Sequence, residues 1–533
     1  MQYSEFNKTD NHSYNVYNAL KYCKEHNENS LVFDKGTYHF CDEMAAEDMM
    51  CVSNHDMYCV KRIAFLLKDM KDFTLDGGES EFVFHDSIVP FSVINSENIT
   101  LKNFSVDFDE TMILDACVCD VNDSYIDVLV VNDDSFYISD SILYCKDSAG
   151  HIGRADFFCL RSKGEDKSFI SQSCDEFDLA ETRFEDLGNK KIRIHNFGLD
   201  VEKDMHLIIK NALRHSCDIV CSDSKDVEIK NITLYKSYAM GLLAQKTENI
   251  TVDNMTVRAK DDCLYSLSAD AVHFVHCKGL VKVINSSFSE QLDDALNIHG
   301  IYTKIIDKTD DYIIVKYMHH SAKGLNIYEK GSEIVVLTPE TLISNGIYKI
   351  SDVEVINMNY TKIYVEGGTK NIKVGDVIED LTYSCDLLFE NNRVYNNRAR
   401  GMLIAAKGNV EIKNNYFNTP GVAILFESDG KFWYESGGTT GVIIKNNTFD
   451  NCKYTLNSWG ESVIEIVPRE KFNEGEYFHK YIEISDNSFS NCNSSLFYLD
   501  NVENIYVRNN NFRDCRIDKK ARYINCDKIN SDI

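Results

Sequence analysis

Apolar and polar positions recur along this chain in one short pattern: apolar, any, apolar, any, Asn, any, any, apolar. The pattern begins at Ile99, Val227, Ile250, Val281, Leu387, Val410, Val442, Ile482 and Ile505. Its fifth position holds Asn103, Asn231, Asn254, Asn285, Asn391, Asn414, Asn446, Asp486 and Asn509. Three of the gaps between these residues are 23 (231 to 254, 391 to 414, 486 to 509). A fixed period of this size predicts a repeat architecture, and the two-residue alternation inside each unit predicts strands rather than helices. Each strand has one apolar face and ends in an Asn, which tolerates left-handed backbone. That combination predicts one coil of a parallel β-helix, with the Asn residues stacked as a ladder inside the turn.

The expected fold class is all-β, a parallel β-helix solenoid with two small inserted β-barrel-like domains. Residues 11–40 predict an amphipathic helix (Tyr17, Leu20, Tyr22, Cys23) and then a strand, which would cap the open end of a solenoid. Two gaps in the repeat are too long, 128 residues from Asn103 to Asn231 and 106 from Asn285 to Asn391. Both contain their own strand patterns (Ser124–Val131, Tyr312–Tyr317, Glu333–Leu337, Ile363–Glu366), and glycines punctuate the second. The expected division is 1–108 for the cap and first coils, 109–205 for one insertion and 206–300 for the central coils. A second insertion at 301–383 and the last coils at 384–533 complete it.

Composition narrows the possible partners. A net charge of −28 argues against DNA, RNA or an anionic membrane surface. No stretch approaches a transmembrane helix. Eighteen cysteines in so large a chain do not signal a disulfide scaffold. Cys452, Cys492 and Cys515 each follow the repeat's Phe by three residues, as expected of thiols stacked in a column. The N-terminus shows no basic-then-apolar signal segment, so the expected location is cytoplasmic, or secreted if a leader has been removed.

Candidate chemistry lies on the strands that follow the Asn units. Two are introduced by aspartates, Ser268-Ala-Asp270 and Gln291-Leu-Asp293-Asp294. The gap from Asn254 to Asn285 is 31 rather than 23, which places an eight-residue loop within Ala259–Leu267. Asp270 then pairs with Asp293, or with Asp294 at an offset of 24 that also puts Val272 beside Leu296 and Phe274 beside Ile298. Carboxylates on neighbouring rungs, about 4.8 Å apart, are costly unless solvated, protonated or used. Mutual repulsion raises one pKa, which suits a general acid beside a general base in glycoside hydrolysis. His273, Asn297 and His299 would be displayed along the following strands. Arg398 and Arg400 fall in the same column of a later coil, where they would bind sugar hydroxyls or tune the carboxylates. Trp433 offers an aromatic face to a pyranose, and Glu435 beside it a hydroxyl acceptor. His273 and His276 alone do not make a zinc site, and no P-loop, GxSxG or HExxH pattern is present.

The segments Ser268-Ala-Asp-Ala-Val-His-Phe-Val-His-Cys-Lys-Gly279 and Gln291-Leu-Asp-Asp-Ala-Leu-Asn-Ile-His-Gly-Ile-Tyr302 closely resemble glycoside hydrolase family 110. So do Arg400-Gly-Met-Leu-Ile404, Trp433-Tyr-Glu-Ser-Gly437 and Asp34-Lys-Gly-Thr-Tyr-His-Phe40. That family comprises exo-acting α-1,3-galactosidases that remove terminal galactose, as from blood-group B structures. The resemblance implies a right-handed β-helix, an inverting mechanism, and neither metal nor other cofactor. It implies Asp270 as one catalytic carboxylate and the pair Asp293 and Asp294 as the other side of the machinery; we assign Asp270 as the acid and the pair as the base, although sequence alone leaves open which is which. Two other readings compete. A polygalacturonase-type enzyme is echoed by Asp261-Asp262-Cys263 and Asn297-Ile-His-Gly300, but the acidic charge and the lack of a downstream Arg-x-Lys oppose it. A non-catalytic carbohydrate-binding solenoid would not need Asp270 to face Asp293 and Asp294.

Overall fold

The computed structural model of the chain describes residues 1–55, 59–148, 150–162, 168–169, 177–198, 200–260, 263–455, 460–468, 475–515 and 520–533. Asp261 and Asp262 lie outside the described residues. The repeat builds one long parallel sheet in which the first apolar residue of every unit stacks on the next. Ile99 pairs with Val227, Val227 with Ile250, Ile250 with Val281, and Val281 with Leu387. The column continues through Val410, Val442, Ile482 and Ile505. A second parallel sheet faces it, with strands at Ile219–Ser222, Leu242–Gln245, Val272–Val275, Leu296–Ile301, Met402–Ala405 and Ile424–Phe426 among others. The core between the sheets is aliphatic and aromatic: Ile229, Val252, Phe274, Val283, Phe389 and Ile412 are fully buried. The repeat's Phe residues stack ring on ring, Phe417 to Phe449 at 5.2 Å and Phe449 to Phe489 at 4.7 Å.

All nine repeat Asn or Asp residues have positive φ, between 53° and 61°. Each turns the chain where the strand bends, and Asn adopts this left-handed conformation at less cost than other non-glycine residues. The expected inner ladder is displaced by one residue. Most repeat Asn side chains are exposed, whereas Asn392, Asn415, Asn447 and Asn487 are buried. In this inner ladder the backbone N–H of each residue donates to the Oδ1 of its counterpart on the next coil, at 2.8–3.0 Å (Asn392 to Asn415 to Asn447 to Asn487 to Asn510). The Nδ2 groups donate to core-strand carbonyls such as Phe389 O and Ile412 O. With the outer residue committed to the bend, the residue after it is the one aimed inward, where backbone donors otherwise lack acceptors.

The cap is the one α-helix among the described residues, His12–His26, with the Asn11 side chain accepting from Tyr14 N. It buries Val16, Ala19, Leu20 and Cys23, while Tyr17 is exposed, so the apolar face is rotated from the expected one. Cys452 and Cys492 are buried in their column; Cys515 is partly exposed. No helix among the described residues is long and apolar enough to cross a membrane.

Both insertions are antiparallel. The first is an eight-stranded sheet from Ile113–Asn122 to His206–Asn211, so its last strand lies beyond residue 205. Its two edges approach each other, with Phe184 N donating to Ser141 O. The second is a closed six-stranded barrel from Thr303–Lys308 to Val377–Asp380. The 14 residues between Val257 and Val272 include the extra loop. Its Tyr265 hydroxyl reaches Thr111 (3.2 Å), fastening the first insertion beside the central coils.

Candidate active site

The second sheet pairs Val272 with Leu296 and Phe274 with Ile298, the 24-residue offset. Asp270 and Asp294 are therefore level, and Ala271 N donates to Asp294 O. Asp293 sits one residue before this rung. One oxygen from each of the three carboxylates lies within 4.8 Å of the others.

Their surroundings differ. Asp270 is buried, accepts Asp294 N at Oδ1 (3.1 Å), and contacts His273 Nδ1 through Oδ2 (2.7 Å). Burial, and then the charge of Asp293, push its pKa up to about 7. Burial also works against a charge on Asp293, but Arg398 and Arg214, with Lys210 and Arg400, hold it below the ordinary carboxylate range. Arg214 Nη2 lies 3.4 Å from Asp293 Oδ2. Asp294 is buried, and its pKa is raised by burial against the opposing Arg400 guanidinium. Arg400 meets it through Nε (3.1 and 3.0 Å) and Nη2 (2.8 Å), and the Arg400 backbone N–H donates to Oδ1 (2.9 Å). Arg400 is therefore an anchor for Asp294, and Arg398, which donates to Leu292 O (3.1 Å), lowers the pKa of Asp293 from the same turn.

A hydrogen-bonded chain leads from Asp270 outward. His273 Nε2 lies 3.1 Å from His299 Nε2, and His299 Nε2 lies 3.7 Å from Glu435 Oε1. His299 Nδ1 is 2.7 Å from the Gly300 carbonyl and so carries a proton. Two proton placements satisfy this chain. In one, a neutral Asp270 carboxyl donates to His273 Nδ1, and His273 Nε2–H donates to His299. In the other, Asp270 is ionised and His299 is doubly protonated beside Glu435, while Asn54 Nδ2, 3.2 Å away, donates to His273 Nε2. The two differ by one proton moved between Asp270 and His299. Burial, and then His299, keep the His273 pKa well below its ordinary value, which favours the neutral imidazole.

Asn297 pairs with His273 across the sheet and is buried, and among the described residues its Oδ1 has no hydrogen-bond partner. Glu435 and Ser436 pair antiparallel with Ile301 and Gly300. Trp433, two residues earlier, is 45% exposed and lies 4.8 Å from His319 of the second insertion. All ten residues singled out in the sequence thus converge on one region.

Three more lie there without having been singled out. Lys210, on the last strand of the first insertion, donates to Ser268 O (2.6 Å), and burial followed by Arg398 lowers its pKa to about 8. Arg214 follows that strand. Asn54 comes from the loop after the cap, where Ser53 N is held by Gln245 Oε1 (2.9 Å). None belongs to the repeat, so no periodic signal marks them. The three carboxylates are close enough to share a cation, but Arg214, Arg398, Arg400 and Lys210 already supply positive charge around them.

Comparison with known proteins adds to this picture. Residues 312–378 match the family model described as GLAA-B beta-barrel domain II. The α-1,3-galactosidase A of Shewanella woodyi is 30% identical over 91% of this chain and 81% of that protein. An α-1,3-galactosidase B of Phocaeicola vulgatus is 31% identical over 92% and 86%. Among solved structures, the family 28 exopolygalacturonase of Yersinia enterocolitica aligns with a TM-score of 0.44 at 11% identity, over 98% of this chain and 77% of that one. That likeness is too distant to bear on the chemistry.

Proposed function

Since this chain belongs to the α-1,3-galactosidase family, we propose that it hydrolyses the bond to a terminal α-1,3-linked galactose, as in blood-group B type glycans. One observation carries the assignment of roles: within 4.8 Å, Asp270 and Asp294 are both pushed up to about 7 while Asp293 is held low, and of the raised pair only Asp294 is clamped by Arg400. Asp270 is the general acid, giving its proton to the departing glycosidic oxygen. Asp293, kept ionised by Arg398 and Arg214, is the base that deprotonates water. Asp294, clamped by Arg400, positions both. Asn297 Oδ1, His299 and Glu435 accept or donate to galactose hydroxyls.

Inversion at the anomeric carbon is part of the proposal and rests on the resemblance to glycoside hydrolase family 110. Spacing argues the other way. Opposed carboxyls in a two-residue inverting site stand about 6.5–9.5 Å apart, and a retaining pair about 5–5.5 Å. Inversion requires the water deprotonated by Asp293 to attack the face of the anomeric carbon opposite the oxygen that Asp270 protonates. Proton NMR of the first product formed from an α-1,3-linked galactobiose tests both parts. Initial β-galactose supports the proposal; initial α-galactose means a covalent intermediate and overturns the roles. Polygalacturonate is the control substrate. The site's cations are engaged by Asp293, Asp294, Leu292 O and Ser268 O rather than held out toward an acidic polymer.

A further inference from the structure

Beyond the catalytic trio, the chain displays aromatic rings where water would favour polar groups. Phe432 is 64% and Trp433 45% exposed. Their loop is pinned: the Asp429 carboxylate accepts the backbone N–H of Lys431 (2.7 Å), of Phe432 (2.9 Å) and of Trp433. The rings are held in place, Phe432 against Trp433 at 5.2 Å and nearly perpendicular. The second insertion completes the row. His319 lies 4.8 Å from Trp433 and 4.3 Å from His320, with its Nδ1 engaged by the Ser321 hydroxyl (2.7 Å). Burial and the neighbouring His320 lower the His319 pKa to about 4, so the ring is neutral at ordinary pH.

The strip begins where the acid site ends. Glu435, two residues past Trp433, approaches His299, which leads through His273 to Asp270. The electrostatic influence of His299 and Asp429 reaches His319, and that of Arg214 reaches His320. A galactose lodged among the carboxylates must leave its next sugar outside them, at this rim. Neutral rings that cannot attract an ion still pack well against the C–H face of a pyranose.

We propose that Phe432, Trp433, His319 and His320 form a separate subsite for the neutral sugar unit that carries the galactose. The second insertion would then set which glycans are cleaved. This rests on the galactosidase reading above. The test compares two substrates in the full-length protein: an α-1,3-linked galactobiose, and α-galactosyl fluoride, which has no second sugar. Trp433→Ala, Phe432→Ala and His319→Ala should each lower kcat/KM on the disaccharide roughly 10–100-fold. That loss should exceed the loss on the fluoride at least about tenfold. Phe432 is exposed enough that its variant will fold, and thermal unfolding checks all three. Equal losses on both substrates, or no loss on the disaccharide, overturn the subsite while leaving the galactosidase reading intact. Wild-type protein that releases galactose from neither substrate overturns both.

Discussion

Replacing Asp270 by asparagine separates the acid from the rest of the machinery. Asn keeps the acceptor for Asp294 N at Oδ1 and nearly the same volume, and it removes the transferable proton. General acid catalysis typically contributes roughly 10²–10⁴-fold, about 2.7–5.5 kcal/mol of barrier at 1.36 kcal/mol per decade. That loss is expected on galactobiose, whose leaving alkoxide needs a proton. On α-galactosyl fluoride, whose leaving group needs far less help, it should shrink to about tenfold or less, whereas Asp293→Asn should fail on both. Wild-type activity on the disaccharide should fall as pH rises through about 7, where Asp270 loses its proton, and the Asp270 part of this limb should vanish in the variant, leaving only what Asp294, raised to the same value, contributes. The stability sign is opposite to that of a paired carboxylate. A buried acid with a raised pKa costs nothing below its unfolded value near 3.8, and its cost grows as pH rises toward the folded value. The asparagine variant should therefore match wild type in Tm below pH 4 and exceed it increasingly up to pH 7. Equal rate losses on the two substrates would falsify the assignment of Asp270 as the acid, and near-normal turnover would remove it from the mechanism.

Other expectations follow from the same contacts. Arg398→Met removes the cation that most depresses the Asp293 pKa, so the acidic limb of the pH–kcat/KM profile should move upward; an unmoved limb would mean that another group acts as base. Asn447→Ala strips acceptors from Asn415 N and Nδ2 and a donor from Ile412 O inside the solenoid. At about 1–3 kcal/mol for a buried unsatisfied group, several kcal/mol of stability should be lost by denaturant titration. The exposed Asn446, at φ 56°, should cost only about 1–2 kcal/mol as Ala and little as Gly; a reversed order would refute the inner-ladder account. Dialysis against EDTA should leave galactose release unchanged, since arginine and lysine already balance the carboxylates; loss of activity restored by a divalent cation would contradict this.

Residues within the repeat were legible because periodicity constrains them. The strand columns from Ile99 to Ile505, the left-handed Asn positions and the placing of Asp270 on the coil beside the Asp pair follow from spacing. The ladder's displacement to Asn392 and its counterparts was not, because a pattern marks which residue turns the backbone but not which neighbour then points inward. The register of Asp270 against Asp293 or Asp294 was open for a related reason: an eight-residue loop can end one residue early or late. Asn54, Lys210 and Arg214 were invisible, because long-range packing of aperiodic segments brings them to the site. Trp433 was visible as a rare residue, but its exposure, and its company with His319 from the barrel, depend on tertiary placement.

The second insertion leaves the solenoid after Ile301, yet Cys385 returns to pair with Gly279 on the next rung. The barrel closes its own gap: Thr303 and Lys304 at its start pair with Ile378 and Val377 at its end. Loop-closure entropy grows slowly with length, about 0.6 kcal/mol per doubling, but it must be met before the rungs bearing Asp294 and Arg400 can join. A barrel that folds first meets it locally and hands the coil two adjacent chain ends. The join thus favours a barrel that forms ahead of the coil it interrupts. Lesions in the barrel core should appear as slow or failed refolding of the catalytic rungs, while the molecules that do complete the solenoid keep a normal acid and base.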